Sequence, residues 1–209
     1  MVGDLADRLP RLCIFARAPV LGQVKTRLAE TMGTQGALQA HERLVADTLD
    51  RLADIPGIQC ELWVAGDTDH PVIGQWRTRR SLTLRKQVGD DLGERMAHAI
   101  SACLEAGCSG LIVGSDCPTI TAAYIRQAVA VLDTHDLVLG PAEDGGYGLI
   151  GLRHPAPELF TGMLWSTAEV FAQTVARANC LGLSWSVLET LWDVDDERGW
   201  QRFLALRGC

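Results

Sequence analysis

No apolar run in this 209-residue chain approaches the roughly 18 residues of a membrane-spanning helix, so a transmembrane segment is not expected. The seven cysteines are odd in number and contain no C-x-x-C pair, which argues against a disulfide framework. Cys103, Cys108 and Cys117 have a spacing that matches no zinc pattern, while Cys13, Cys60 and Cys103 fall in apolar patterns where cysteine acts as a small hydrophobe. Repeats, low-complexity tracts and linkers are also missing. The opening residues mix acids and bases without the basic-then-apolar order of a secretory signal, so a cytoplasmic protein is expected. A formal charge of −7 disfavours a surface that coats nucleic acid, and no membrane partner is expected.

What is present fits one globular domain over 1–209, with 47% hydrophobic and 22% charged residues. Short apolar runs alternate with helix-period segments. Leu12–Ala16, Cys60–Ala65, Leu82–Leu84, Leu111–Val113, Asp136–Leu139 and Gly148–Leu152 read as strands. Leu38, His41, Leu44, Val45, Leu49 and Leu52 recur at three and four, as on one face of a helix, where His41 reads as a packed residue. Further helices are expected from Met96 to Leu104, from Ala122 to Asp133, and after a Ser166-Thr-Ala-Glu169 capping box; a short terminal one carries Trp200, Phe203 and Leu204. This order implies an α/β protein with a largely parallel sheet covered on both faces.

Four stretches carry chemistry. Leu111–Pro118 is a buried strand that breaks at Gly114 and delivers Asp116 beyond its carboxyl end, where parallel sheets bind ligands and where a carboxylate can hold a divalent metal or simply shape a turn. Ala16–Leu28 uses Pro19 and Gly22 to shape a loop that gathers Arg17, Lys25, Thr26 and Arg27, a phosphate-binding set without Walker A spacing. A second basic stretch, Arg77, Arg79, Arg80, Arg85 and Lys86, reads as a solvated face. Glu143-Asp-Gly-Gly146 places Gly145 and Gly146 where backbone can approach a ligand. In Asp193-Val-Asp195, an extended backbone would turn both carboxylates to the same side. The six tryptophans read mainly as partly buried core residues.

ARAPVLGQVKTRLA, GERM, GSDCPTI, EDGGYGLIGL, WST and the closing DVD, taken together and in order from about Leu12 to Leu204, resemble the bacterial DUF2064 proteins. These are glycosyltransferase-A-like sequences provisionally named as nucleotide-diphospho-sugar transferases and, in part, as arsenosugar-biosynthesis glycosyltransferases. The resemblance implies a three-layer α/β/α fold with a mixed, mostly parallel sheet, as in the molybdenum-cofactor and phospholactate nucleotidyltransferases. It implies nucleotide phosphates on Arg17, Lys25 and Arg27, with Thr26, Arg95 of GERM, Gly145 and Gly146 also in the nucleotide site. It implies Mg²⁺ or Mn²⁺ on Asp116, with a second ligand from the C-terminal acids, Asp195 ahead of Asp193.

The DVDD lacks the Thr-Pro-Glu-Asp continuation common in nucleotidyltransferases, and the basic loop lacks their Gly-rich form. The leading expectation is therefore a metal-dependent glycosyltransferase that moves a sugar from a nucleotide-diphospho-sugar to a small acceptor. In it Asp116 and Lys25 act on the leaving diphosphate, and Asp144, or failing it Glu143, is the base. The alternatives are a nucleotidyltransferase joining an NTP to a small phosphorylated metabolite, and a nucleotide-binding module without catalysis. Neither the donor, the acceptor nor the oligomeric state can be read from the sequence.

Overall fold

The computed structural model describes residues 9–208, apart from the Arg79 side chain. The N-terminal segment behind the expected lack of a signal, and Cys209, lie outside the described residues. Seven strands form one sheet in the order β3-β2-β1-β4-β6-β5-β7. They are β1 (Arg11–Arg17), β2 (Gln59–Ala65), β3 (Thr83–Lys86), β4 (Gly110–Gly114), β5 (Leu137–Pro141), β6 (Tyr147–Leu152) and β7 (Trp185–Val187). All neighbours pair in parallel except β6, which is antiparallel to both β4 and β5.

The near-continuous apolar runs follow from helices on both faces. Helices α1 (Thr26–Leu52), α2 (Pro71–Arg80) and α4 (Ala122–Leu132) bury Val45, Leu49, Ile73, Trp76 and Ile125 against Leu12, Ile14, Leu62 and Leu111. On the other face α3 (Leu92–Glu105) and α5 (Val170–Cys180) cover Cys13, Phe15, Ile112 and Leu139. A third cluster joins α6 (Glu197–Arg207) to the start of α1 through Trp200, Phe203, Leu28 and Ala40. The result is the expected three-layer α/β/α fold.

The chain runs outward from β1 to β2 and β3, then returns across the other face to β4 on the opposite side of β1. The connections diverge between β1 and β4, and beyond the carboxyl ends of such a pair a ligand crevice opens. The loops carrying Lys25 and Asp116 both leave from these ends. β6 brings the tight 142–146 turn to the same edge.

Several local expectations need correction. Helix α1 starts twelve residues earlier than its apolar stripe, at Thr26, and is kinked at Gly33, whose φ of 74° and ψ of 165° are not helical. Helix α2 and strand β7 are additional elements. The Ser166–Glu169 capping box does not form: Ser166 has φ 64° and α5 begins only at Val170, with no side-chain cap on Glu169. Segment 163–169 instead straps the crevice, anchored where Phe171 N–H donates to the Gly145 carbonyl at 2.9 Å.

All six described cysteines are free. Cys117 lies on the opposite face of the sheet from Cys103 and Cys108, so these three form no cluster. Trp63, Trp76, Trp192 and Trp200 are buried, and Trp165 and Trp185 half-buried. In the second basic stretch Arg80 pairs with Asp50 at 2.8 Å and Arg85 approaches buried Glu61 at 3.6 Å. Among the described residues no helix is long and apolar enough to cross a membrane.

Candidate functional site

Lys25 is the centre of the site. It precedes the first turn of α1 in a left-handed conformation (φ 48°, ψ 48°) that is unfavourable for a side chain with a Cβ. That backbone turns its side chain inward until only 6% is exposed, with Nζ 2.7 Å from Asp116 Oδ2 and 3.0 Å from Asp195 Oδ1. Burial opposes the charge on Lys25, but Asp116 and then Asp195 outweigh it and hold the ammonium above its ordinary value. Burial likewise opposes the charge on Asp116, and Lys25 overrides it, keeping that carboxyl below its usual range.

Asp116 follows β4 in a turn held from several sides. The Ser115 N–H donates to Phe15 O of β1 at 3.2 Å, and Thr48 Oγ1 of α1 donates to Ser115 O at 3.1 Å. Thr121 caps α4 by accepting from Tyr124 N–H. The acidic segment after Leu191 lies alongside: Leu191 N–H donates to Pro141 O at 2.7 Å and Val194 N–H to Asp116 O at 3.0 Å. Val194 is fully buried, and Asp193 and Asp195 on either side of it line a cavity of about 310 Å³ together with Asp116 and Asp144. Asp193 is pushed up to about 6, first by burial and then by the charges of Asp195 and Asp144.

The carboxylates offer only oxygen donors, and their mutual repulsion is the kind that a bound cation relieves, so they fit a hard divalent ion such as Mg²⁺ or Mn²⁺. Among the described residues no group of three metal-ligating side chains is already drawn together. An ammonium, that of Lys25, stands between Asp116 and Asp195.

The other expected residues divide. Arg27 is 70% exposed with Nη1 3.6 Å from Asp195, and Thr26 is exposed beside it in the first helical turn. Arg17 is exposed, and its carbonyl accepts from His41 Nε2 at 3.0 Å. Burial pushes the buried His41 below its ordinary value, which favours the uncharged ring of a packed residue. Arg95 points its guanidinium at the carbonyls of Gly89 and Asp90, at 2.9 and 3.2 Å, and so shapes the loop entering α3.

Gly146 lines the cavity, and its N–H donates to Asp144 Oδ1 at 2.9 Å. Gly145 has another reason: its φ is 88°, and a Cβ there would stand 2.2 Å from Ala168 O, so the space is filled by the strap. Glu143 is bound to Arg202 at 2.8 Å, outside the cavity lining.

Sequence reasoning quoted Trp165, Ser166 and Thr167 as the WST motif but gave them no place in the site, although they line the cavity, and it missed the buttress behind the Asp116 turn. Asp47 of α1 pairs with Arg51 at 2.8 Å and with Arg207 of α6 at 2.6 Å. Those arginines donate to the carbonyls of Ile120 and Pro118 respectively. Asp47 and Arg207 are 160 positions apart and carry no motif.

Comparison with known proteins bears on the family and the fold. Residues 48–167 match the profile of the family described as "Uncharacterized protein conserved in bacteria (DUF2064)". A crystal structure from Desulfovibrio desulfuricans G20, provisionally named a nucleotide-diphospho-sugar transferase, is 31% identical, with 90% of this chain and 82% of that chain covered and a TM-score of 0.81. A 3-phospho-D-glycerate guanylyltransferase from Phenylobacterium zucineum (strain HLK1) is 28% identical over 172 residues, 79% of this chain and 75% of the relative. The 4-diphosphocytidyl-2C-methyl-D-erythritol synthase of Anaerococcus prevotii DSM 20548, at 9% identity and a TM-score of 0.66 with 98% of each chain covered, shares the fold alone.

Proposed function

This chain belongs to the DUF2064 family, and from that premise we propose that it is a nucleotidyltransferase, joining a nucleoside triphosphate to a small phosphorylated metabolite with release of pyrophosphate. The observation that carries the proposal is Lys25 held between Asp116 and Asp195 at the β1/β4 crevice of a nucleotide-transferase fold. The guanylyltransferase relative supports nucleotidyl transfer over the sugar transfer that the sequence motifs put first, and it makes GTP the first donor to try.

In this reaction an oxygen of the acceptor's phosphate attacks the α-phosphorus of the triphosphate, and the bond to the β-phosphate breaks. A phosphate monoester is already anionic near neutrality, so the attack needs no base, and Asp144 need not take a proton. Asp116 and Asp195, with Asp193 and Asp144 beside them, would hold Mg²⁺ or Mn²⁺, which when bound neutralises phosphate charge and favours departure of pyrophosphate. Lys25, between Asp116 and Asp195, would supply a point charge beside the phosphates, and exposed Arg27 would reach them from the crevice mouth. The strap over Gly145 keeps water from one side of the cavity.

Sugar transfer remains the second reading because the Desulfovibrio relative carries that name. The two differ in the leaving group. Incubation with four NTPs, Mg²⁺ or Mn²⁺ and a panel of phosphate esters should release pyrophosphate. Metal-dependent hydrolysis of nucleotide-sugars without pyrophosphate release from any NTP would instead establish sugar transfer, and nucleotide binding indifferent to metal and to Asp116→Asn would leave a binding module.

A further inference from the structure

Asp47 lies outside the lining of the cavity, yet the groups it holds reach three carbonyls of the turn that presents Asp116. Its Oδ2 accepts from Arg51 Nε at 2.8 Å and from Arg207 Nη2 at 2.9 Å, and its Oδ1 from Arg207 Nε at 2.6 Å. Arg207 Nη2 also donates to the Pro118 carbonyl at 3.0 Å. Arg51 Nη1 donates to the Ile120 carbonyl, and its Nη2 to Thr48 Oγ1 at 3.1 Å, while that hydroxyl donates to the Ser115 carbonyl at 3.1 Å.

Each part of this arrangement needs the carboxylate. Two guanidinium groups side by side repel, and Asp47 is the anion that both share. A guanidinium offers its donors in a fixed fork, so holding one edge on Asp47 aims the rest at the backbone. Ser115 and Ile120 are buried, where a backbone carbonyl left without a donor costs free energy. The same turn puts Asp116 Oδ2 2.7 Å from Lys25 Nζ, and a shift of about 1 Å would carry that contact beyond hydrogen-bond reach.

We propose that Asp47 is a positioning residue for the nucleotidyl-transfer site: through Arg51, Thr48 and Arg207 it sets the place of the Asp116 turn, and with it the Lys25–Asp116 contact. The effect on turnover rests on the nucleotidyltransferase reading. The contact itself can be read without substrate or metal.

Lys25 and Lys86 are the only lysines of the chain, and Lys86 is exposed, so reductive methylation read by peptide mass spectrometry gives the reactivity of Lys25 against an internal reference. An amine must be unprotonated and accessible to react, and Lys25 is buried with its ammonium held by Asp116. In metal-free protein kept well below its melting temperature, Asp47→Asn should raise the Lys25-to-Lys86 labelling ratio by at least about threefold. With NTP, phosphate ester and Mg²⁺, kcat for pyrophosphate release should fall by at least about tenfold. Arg207→Lys keeps the charge but not the fork, so it should move both readings the same way, and it carries the test should Asp47→Asn fail to fold. Asp50→Asn, three residues along α1, breaks the Arg80 pair at 2.8 Å and should move neither.

A purely stabilising role would leave the labelling ratio of the folded variants at the wild-type value, and that result overturns the proposal. An equal rise in Asp50→Asn, or an unchanged kcat in a variant whose ratio has risen, also overturns it. Should the wild type release no pyrophosphate from any NTP, the nucleotidyltransferase reading fails and the ratio alone decides: a rise confined to Asp47→Asn and Arg207→Lys upholds the positioning of the Lys25 contact by Asp47, and no rise overturns it.

Discussion

Arg207 Nη2 of α6 donates to the carbonyl of Pro118 at 3.0 Å while Asp47 of α1 grips the same guanidinium at 2.6 and 2.9 Å. The turn that presents Asp116 is therefore pinned from behind by two helices distant in sequence.

Burial opposes the charge on Asp47, but hydrogen bonding from Arg207 and the charge of Arg51 prevail and hold it below the usual carboxylate range. A depressed carboxylate adds stability that is present above its unfolded value, near 3.9, and is lost as pH falls through the folded value. Asp47→Asn should thus destabilise the protein by about 1–3 kcal/mol at pH 7, with the difference from wild type shrinking below about pH 4. Urea unfolding at both pH values checks this; a difference independent of pH would contradict it.

The contribution of Gly145 is separable from simple backbone strain. Gly145→Ala faces both a positive φ and a Cβ 2.2 Å from Ala168 O, whereas Gly182→Ala faces a φ of 68° with nothing within 4 Å. Gly182→Ala should cost about 1 kcal/mol, and Gly145→Ala clearly more, with a loss of kcat/KM as the strap lifts. Thermal melts and turnover of both variants test this, and equal melting temperatures would remove the strap contact from the account.

The sheet and Asp116 were legible because they rest on strong signals. Runs such as Leu111-Ile-Val113 can be buried only under helices on both faces, and a chain break after such a run marks the ligand edge. Asp193 and Asp195 were legible through the two-residue alternation of extended chain around Val194. Helix α2 was not, since only Ile73 and Trp76 of its ten residues are buried hydrophobics and no stripe stands out. Strand β7 is three residues long. The Ser166–Glu169 motif failed because tertiary docking of the strap on Gly145 overrode a local capping preference. The left-handed Lys25 and the Asp47–Arg207 pair depend on contacts between distant segments, which a single sequence does not encode as a pattern.

Removing the ammonium at the centre of the site should expose its electrostatic role. Lys25→Met leaves Asp116 and Asp195 without their shared counter-charge, so turnover should fall by at least about 10²-fold while Mg²⁺ or Mn²⁺ raises the melting temperature more than in wild type. A thermal-shift titration with metal alone reads the second effect without any catalysis. No metal response in either protein would contradict the assignment of these carboxylates to a divalent ion.

The most direct measurement is the pyrophosphate-release rate, with NTP, divalent metal and the best phosphate ester, for Asp116→Asn, Asp195→Asn and the double variant, with folding verified by circular dichroism. Each single variant should keep the fold and lose at least about 10²-fold in rate. The double variant should lose far less than the product of the single losses, because both carboxylates act on one charge centre. Full metal-dependent turnover by Asp116→Asn would contradict the account.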